Sequence, residues 1–324
     1  MTETTRVVML DPDWFGDVST ERTHFEELLG DVAVRAVDCT ESEIPVAVNE
    51  ADILLSHYTG VSAESMDATG CSVITRYATG IDGIDIEAAT ERGIRITRVP
   101  AYCDDEVGTH IISLALALVR GLPQYDASTT NENWEWDIAA PVRPPDELMF
   151  GFLAFGNKAK AAAEKARALG FDVCAHDPYL DNDKIRSHNA TPVDFEGLLS
   201  QADVLSVNTP LTEDTQEMLD ADAFDYLDDE AILVNTSRGA IVDEDALVDA
   251  LDNNRLRGAG LDVLSQEPPK PDHPLLGRDD VIVTPHAAWY STRSESTLRR
   301  RGTEIAVDVY HGKEADGLVN PNAL

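Results

Sequence analysis

The sequence predicts an α/β protein of two lobes, each built on a doubly wound parallel sheet, with the second lobe inserted into the first. Three observations predict this class. Short β-branched or apolar runs alternate with helical periodicity twice along the chain, before and after one long apolar helix. A turn containing glycine, Ala154-Phe155-Gly156-Asn157-Lys158-Ala159, follows a strand run and opens a helix near the head of the second alternation. A last helical segment, about Ser294–Tyr310, lies beyond the final strand and gives the chain a way back to the first lobe.

The elements follow in order. In the first alternation the strand candidates are Arg6–Leu10, Asp52–Leu55, Val73–Arg76 and Ile94–Val99, with helical patterns such as Thr20–Leu29 and Ile84–Arg92 between them. The long helix runs over Asp105–Val119. Its apolar stretch Ile111–Val119 is too short to cross a bilayer, which takes about 20 residues, and reads as a helix buried all round. Gly121–Glu147, with Trp134, Trp136 and four prolines, reads as an irregular arm or surface loop. The second alternation offers strands at Met149–Ala154, Asp172–His176, Val204–Val207, Ile232–Asn235, Ala259–Val263 and Val281–Thr284. Helices at Lys158–Leu169, Phe195–Ser200, Asp222–Tyr226 and Glu244–Asn253 separate most of them. The expected lobes are residues 1–102 with 298–324, and residues 103–297.

Charge narrows the partners. The 324 residues carry 25 Lys plus Arg against 60 Asp plus Glu, a formal net charge of −35. Nucleic acid and anionic membrane surfaces would both repel such a chain, so neither is an expected partner. Only six of the basic residues are lysine and 19 are arginine. Abundant carboxylate with scarce lysine is the surface expected of a protein working in molar salt, where the Debye length shrinks to about 3 Å and self-repulsion is screened. An ordinary acidic cytosolic surface is the alternative. The four cysteines, Cys39, Cys71, Cys103 and Cys174, stand at least 32 residues apart, so no zinc spacing is present and no metal is expected. With no signal-peptide pattern at the N-terminus, a cytoplasmic location is expected.

The turn at Ala154–Ala159 occupies the place of a glycine-rich dinucleotide motif, with alanine at its first and third glycine positions. The retained Gly156 is the one that lets backbone approach a pyrophosphate, and the helix start at Asn157 and Lys158 offers amide donors. Asp177 follows the next strand, 21 residues after Gly156, where a carboxylate accepts from ribose hydroxyls. It would repel a 2′-phosphate and so favours NAD(H), while His176, Lys184 and Arg186 leave NADP(H) open. Arg238, Glu267 and His286 each fall just past a predicted strand end, where α/β sheets place their sites. An arginine fork can hold a carboxylate and a carbonyl. A histidine can give a proton to a carbonyl oxygen as hydride reaches carbon, and a glutamate bonded to that imidazole would orient it and favour its protonated form.

With these residues in view the chain resembles the D-isomer-specific 2-hydroxyacid dehydrogenase family, of the two-lobed Rossmann-like fold. The shared landmarks are Asp177-Pro178-Tyr179, Thr209-Pro210-Leu211-Thr212, Asn235-Thr236-Ser237-Arg238-Gly239, Asp262-Val263 with Gln266-Glu267-Pro268, and Thr284-Pro285-His286. Val99-Pro100-Ala101-Tyr102-Cys103-Asp104-Asp105-Glu106-Val107 is similar to the branch of C-terminal-binding-protein-like members, and the acidic surface suggests a haloarchaeal-type one. The resemblance implies that Arg238, Glu267 and His286 are catalytic. It implies cofactor contacts from Gly156, Asn157, Lys158, Asp177, Asn208, Thr209, Pro210, Thr215, Thr236, Ser237, Asp262 and Ala288. The loop Ala78-Thr79-Gly80 would bind a substrate carboxylate through its amides, with Ala78 standing where many relatives have glycine; His57, Tyr58 and Trp289 would line the side-chain pocket. The implied reaction is reversible reduction of a 2-oxo acid to a D-2-hydroxy acid by NAD(P)H, in a cytoplasmic homodimer formed through Asp105–Glu147. Three alternatives stay open: a phosphoglycerate dehydrogenase, although no C-terminal regulatory domain fits before Leu324; a glyoxylate or hydroxypyruvate reductase; and a non-enzymatic NAD(H)-sensing regulator.

Overall fold

The computed structural model describes residues 4–323, in two compact units. The first comprises the chain up to Tyr102 together with the stretch from Ser291 onward; the second is Cys103–Tyr290.

The first unit carries five strands, β1 (Thr5–Leu10), β2 (Val32–Val37), β3 (Ile53–Ser56), β4 (Val73–Arg76) and β5 (Arg95–Arg98), all parallel and in the order β2-β1-β3-β4-β5. β3 and β4 are buried along their whole length, as befits strands covered on both faces. Helices Ser19–Leu29, Ile44–Ala47, Ala63–Thr69, Ile86–Glu91 and Thr292–Tyr310 connect and cover them. Asp85 caps its helix by accepting from the Ala88 amide at 2.9 Å, and Ser291 opens the last helix with a capping box. β2 is a strand the sequence reading does not place. It forms a sheet edge, only Val34 is buried, and Arg35 interrupts its apolar run.

The boundary expected at 298 falls inside the helix Thr292–Tyr310, and the division lies instead at Ser291. The reason is helix continuity: residues 292–297 are the first turns of one unbroken helix, and its later turns are fixed in the first unit, the Tyr77 hydroxyl 3.2 Å from the Thr303 hydroxyl and the Arg299 guanidinium donating to both oxygens of Glu21 at 2.8 and 2.7 Å. The whole helix therefore belongs to the first unit.

The second unit holds β6 (Met149–Leu153), β7 (Asp172–His176), β8 (Thr191–Pro192), β9 (Val204–Val207), β10 (Ile232–Asn235), β11 (Gly258–Leu261) and β12 (Val281–Val283). They form one parallel sheet in the order β12-β11-β10-β9-β6-β7-β8. Chain order reverses between β6 and β9, which is the switch point of a doubly wound sheet. β8, two residues long, carries no periodic signal. The long helix is Asp104–Val119, and it is not buried all round: Ser113 is exposed and Leu116 and Ala117 are half-buried. The arm is not wholly irregular either. Gly121, in a left-handed conformation, starts a helix over Leu122–Thr130; beyond it Trp134 and Trp136 are 92 % and 82 % exposed. Among the described residues no helix is long and apolar enough to cross a membrane.

Candidate active site

Three strand ends of the seven-stranded sheet bring Arg238, Glu267 and His286 into one constellation. After β10, the buried Asn235 shapes the turn: its Oδ1 accepts from the Ser237 amide at 3.0 Å and its Nδ2 donates to the Arg238 carbonyl at 2.9 Å. The next residue, Gly239, lies against the backbone of the loop that carries Glu267. A Cβ there would stand 1.9 Å from the Leu264 carbonyl carbon and 2.2 Å from the Ser265 nitrogen. No side chain fits, so Gly239→Ala must displace the Arg238 turn or the Glu267 loop. A misplacement of about 1 Å can cost roughly 10²-fold in rate; steady-state kcat of this variant, with folding followed by circular dichroism, checks it.

Glu267 accepts from the Leu264 amide at 3.0 Å through Oε1, and its Oε2 lies 2.7 Å from His286 Nδ1. Burial pushes its carboxyl upward. The hydrogen bond and charge of His286, the Leu264 amide and the nearby charge of Arg238 outweigh burial and hold it below the usual carboxylate range. A carboxylate only accepts, so Nδ1 carries the proton of this bond and Nε2 is the nitrogen at which His286 exchanges one.

The His286 backbone has φ 52°, a left-handed conformation unusual for a side chain of this size. Asp262 holds it there. Its carbonyl accepts from the His286 amide at 2.8 Å, and its carboxylate from the amides of Ala287 and Ala288, both at 2.9 Å. The Thr284 hydroxyl also donates to that carboxylate at 2.6 Å. Its one proton being used, Thr284 accepts from His110 Nε2 at 3.0 Å. Asp262, expected among the cofactor contacts, is 1 % exposed and engaged in building this turn. Ala288 is buried beside it. Sequence reading missed His110 and Thr284 as supports. It also missed Glu244, which accepts from the Ser265 amide at 2.7 Å and faces His273 Nε2 at 3.2 Å, steadying the same loop.

Of the expected dinucleotide residues, Gly156, Asn157, Lys158, Asp177 and Asn208 lie past the ends of β6, β7 and β9, around the switch point. Ala154 has φ 65°, so alanine occupies a left-handed position that glycine adopts without strain. Asp177 accepts from the Phe155 amide at 2.8 Å and the Tyr179 amide at 2.9 Å, one bond on each oxygen. A carboxylate has about four acceptor sites, so two remain for ribose hydroxyls. Gly156 precedes the helix Asn157–Ala168 with no side-chain cap, and a Cβ on it would meet nothing within 4 Å. Open space before an uncapped helix start fits a diphosphate, and these residues fit a dinucleotide. Lys158 faces Asp104 at 3.6 Å. Across the crevice the Asn208 amide donates to the Leu153 carbonyl at 2.8 Å, Thr215 closes the Thr209-Pro210 loop through the Pro210 carbonyl at 2.7 Å, and the Ser237 hydroxyl donates to the Val207 carbonyl at 3.0 Å. Thr236 is half-buried beside it.

The expected substrate residues of the first unit form a second, separately described group. Asp11, a residue sequence reading missed, accepts from the amides of His57 at 2.9 Å and of Tyr58 and Thr59 at 3.1 Å. Arg76 is 8 % exposed and donates to the Ser56 hydroxyl and to the Thr59 and Tyr58 carbonyls at 2.7, 2.9 and 3.2 Å. His57, expected to line a pocket, is only 4 % exposed, and its Nδ1 lies 2.5 Å from the Tyr77 carbonyl; it ties two loops together. Ala78, Thr79 and Gly80 are half-buried, with the Ala78 carbonyl accepting from Val99 at 3.0 Å and the Thr79 carbonyl from Arg98 at 3.1 Å. Trp289 belongs to the second unit, half-buried, its ring perpendicular to that of Tyr290 at 5.6 Å.

Comparison with known proteins identifies the family and the fold. Residues 112–288 match the family described as D-isomer specific 2-hydroxyacid dehydrogenase, NAD binding domain. The chain is 34 % identical over 273 residues to the D-3-phosphoglycerate dehydrogenase of Archaeoglobus fulgidus, covering 84 % of this chain but 51 % of that one. It thus spans about half the length of that relative. It is 32 % identical over 274 residues to the hydroxypyruvate reductase of Blautia hydrogenotrophica, covering 82 % and 83 % of the two. Among solved structures it is similar to the TT0316 protein from Thermus thermophilus, with a TM-score of 0.84 and 30 % identity over 97 % of this chain and 100 % of that one.

Proposed function

Because this chain belongs to the D-isomer specific 2-hydroxyacid dehydrogenase family, we propose that it interconverts a 2-oxo acid and the corresponding D-2-hydroxy acid with a nicotinamide dinucleotide. The observation that carries this reading is the 2.7 Å bond between Glu267 and His286 Nδ1, with Arg238 close enough to bias the Glu267 carboxyl. A bound dinucleotide supplies the hydride. The 2-oxo acid gains that hydride at C2 and one proton at its carbonyl oxygen, and the reverse reaction returns both. His286 Nε2 gives the proton and recovers it on reversal, while Glu267 stabilises the imidazolium and fixes its ring. Arg238 holds the carboxylate and polarises the carbonyl with its fork of donors. The Ala78–Gly80 amides are the candidate carboxylate nest of the first unit.

Asp177 supports NAD(H) over NADP(H). Of the groups that could welcome a 2′-phosphate, Arg186 is paired with Asp183 at 2.9 Å and the His176 ring faces the Val193 carbonyl at 3.1 Å. Gly156→Ala should leave the fold intact, because its Cβ enters open space, and weaken NADH binding on the order of tenfold, or 1.4 kcal/mol, in a fluorescence titration. The exposed Trp134 and Trp136 support a homodimer closing over this arm.

The decisive experiment measures NADH and NADPH oxidation with pyruvate, glyoxylate, hydroxypyruvate, phosphohydroxypyruvate, branched and aromatic 2-oxo acids, in low and molar salt. Turnover of at least one acid is expected, faster with NADH. Tight NADH binding with no turnover of any acid would overturn the dehydrogenase reading in favour of a cofactor sensor.

A further inference from the structure

We propose that the 2-oxo acid carries an aromatic side chain and that Trp14 and Tyr58 form the platform selecting it; this rests on the dehydrogenase reading above. The chain order of the five-stranded sheet reverses between β1 and β3. Open α/β sheets hold ligands in the crevice beyond the carboxyl ends of strands flanking such a reversal. The segment after β1 supplies Trp14 and Phe15, and the segment after β3 supplies His57 and Tyr58.

These rings form one cluster with a buried floor and an open rim. The Trp14 ring lies 4.3 Å from that of Tyr58, tilted by 35°, and 5.9 Å from His57. Below, Phe15 lies 5.1 Å from His57 and 6.0 Å from Tyr77, and Phe15, His57 and Tyr77 are all buried. Above, Trp14 is 52 % exposed and Tyr58 half-buried. The rim is held rigidly, since Asp11 grips the amides of residues 57–59 and Arg76 grips the carbonyls of Tyr58 and Thr59.

Strand order gives direction. The carboxylate loop Ala78–Gly80 follows β4, and its neighbour Tyr77 is bonded through its carbonyl to His57. On one side, at the end of β5, Arg98 donates to Thr79. The other side leads through β3 to β1 and the ring cluster. A 2-oxo acid anchored at this loop and extending toward β1 lays its side chain on Trp14 and Tyr58.

Charge then separates an aromatic side chain from a phosphorylated one. Charged groups on the β1 side, among the described ones, include Asp11, Asp17, Glu21, Arg76 and Arg299. The Arg76 guanidinium turns inward onto Ser56, Tyr58 and Thr59, and Arg299, 5.4 Å from the Phe15 ring centre, is closed by Glu21. A phosphate placed there would meet the Asp11 carboxylate, whereas an aryl ring gains offset-stacked or edge contacts with the indole and phenol.

The test is kcat/KM for phenylpyruvate, glyoxylate and phosphohydroxypyruvate, with NADH, on wild type, Trp14→Ala and Trp14→Phe. Wild type should favour phenylpyruvate over glyoxylate by about tenfold or more, the scale of discrimination an apolar pocket provides. Trp14→Ala should cut that ratio about tenfold, and Trp14→Phe should keep it within about threefold. A preference for glyoxylate or phosphohydroxypyruvate, or a Trp14→Ala variant that keeps the wild-type ratio, overturns the platform while the dehydrogenase reading stands. Oxidation of NADH with none of the wider acid panel overturns both.

Discussion

His286→Ala is expected to lower kcat by about 10²–10⁴-fold, the contribution of a positioned acid or base, while leaving the NADH dissociation constant near the wild-type value. In the proposed reaction the carbonyl oxygen cannot hold negative charge without a proton donor, and His286, its Nδ1 2.7 Å from Glu267, is the proposed donor through Nε2. Its backbone need not collapse in the variant, since the Asp262 bonds to residues 286–288 do not involve the imidazole. Glu267 adds a pH signature. Its carboxyl titrates below the usual range in the folded protein, so the pair is complete above the ordinary carboxylate pKa and is lost as pH falls through the depressed value. The acid limb of kcat/KM should therefore move in Glu267→Gln, whose amide cannot ionise. An unmoved limb would remove Glu267 from the proton-transfer unit, and near wild-type turnover by His286→Ala would end the assignment.

Glu21→Ala should destabilise the first unit by about 3–5 kcal/mol in urea unfolding, because it removes the buried carboxylate that pairs with a buried guanidinium. Arg299 donates to Glu21 through two nitrogens at 2.8 and 2.7 Å, and Glu21 is fully buried. A guanidinium stays protonated at any accessible pH, so neutralising the cation left without Glu21 is no escape. Replacing both residues, Glu21→Met with Arg299→Met, should recover most of the loss, since the volume is filled and the carboxylate left beside it, Glu295, is partly exposed to solvent. Equal destabilisation by the single and double variants would show that the site matters for shape alone.

Much of this molecule was legible in the sequence for one physical reason: its central strands are buried on both faces and read as short, mainly apolar runs. Val204–Val207 and Ile232–Asn235 are the clearest cases, and both are wholly buried. Where burial lapses the signal lapses, as at β2 with its exposed Arg35 and at two-residue β8. The site divides similarly. Arg238, Glu267 and His286 could be nominated from the sequence because strand ends are where an α/β sheet places its sites. Asp11, His110 and Thr284 were not, because their value comes from partners 46–48 or 174 residues away in the chain, which no local spacing encodes. His57 lies beneath the exposed rings rather than at the rim, and its bond to the Tyr77 carbonyl, 20 residues away in the chain, is likewise not encoded by local spacing.

The left-handed alanine at position 154 has a further consequence. Glycine there would be at ease in the native turn but would roam widely in any loosened state; alanine accepts some strain and forfeits that freedom. With Phe155 tethered to Asp177, the turn is set before any ligand arrives. Preorganisation of this kind lowers the ordering entropy lost on association, so dinucleotide binding should register in calorimetry with a smaller entropic penalty than a glycine turn would impose.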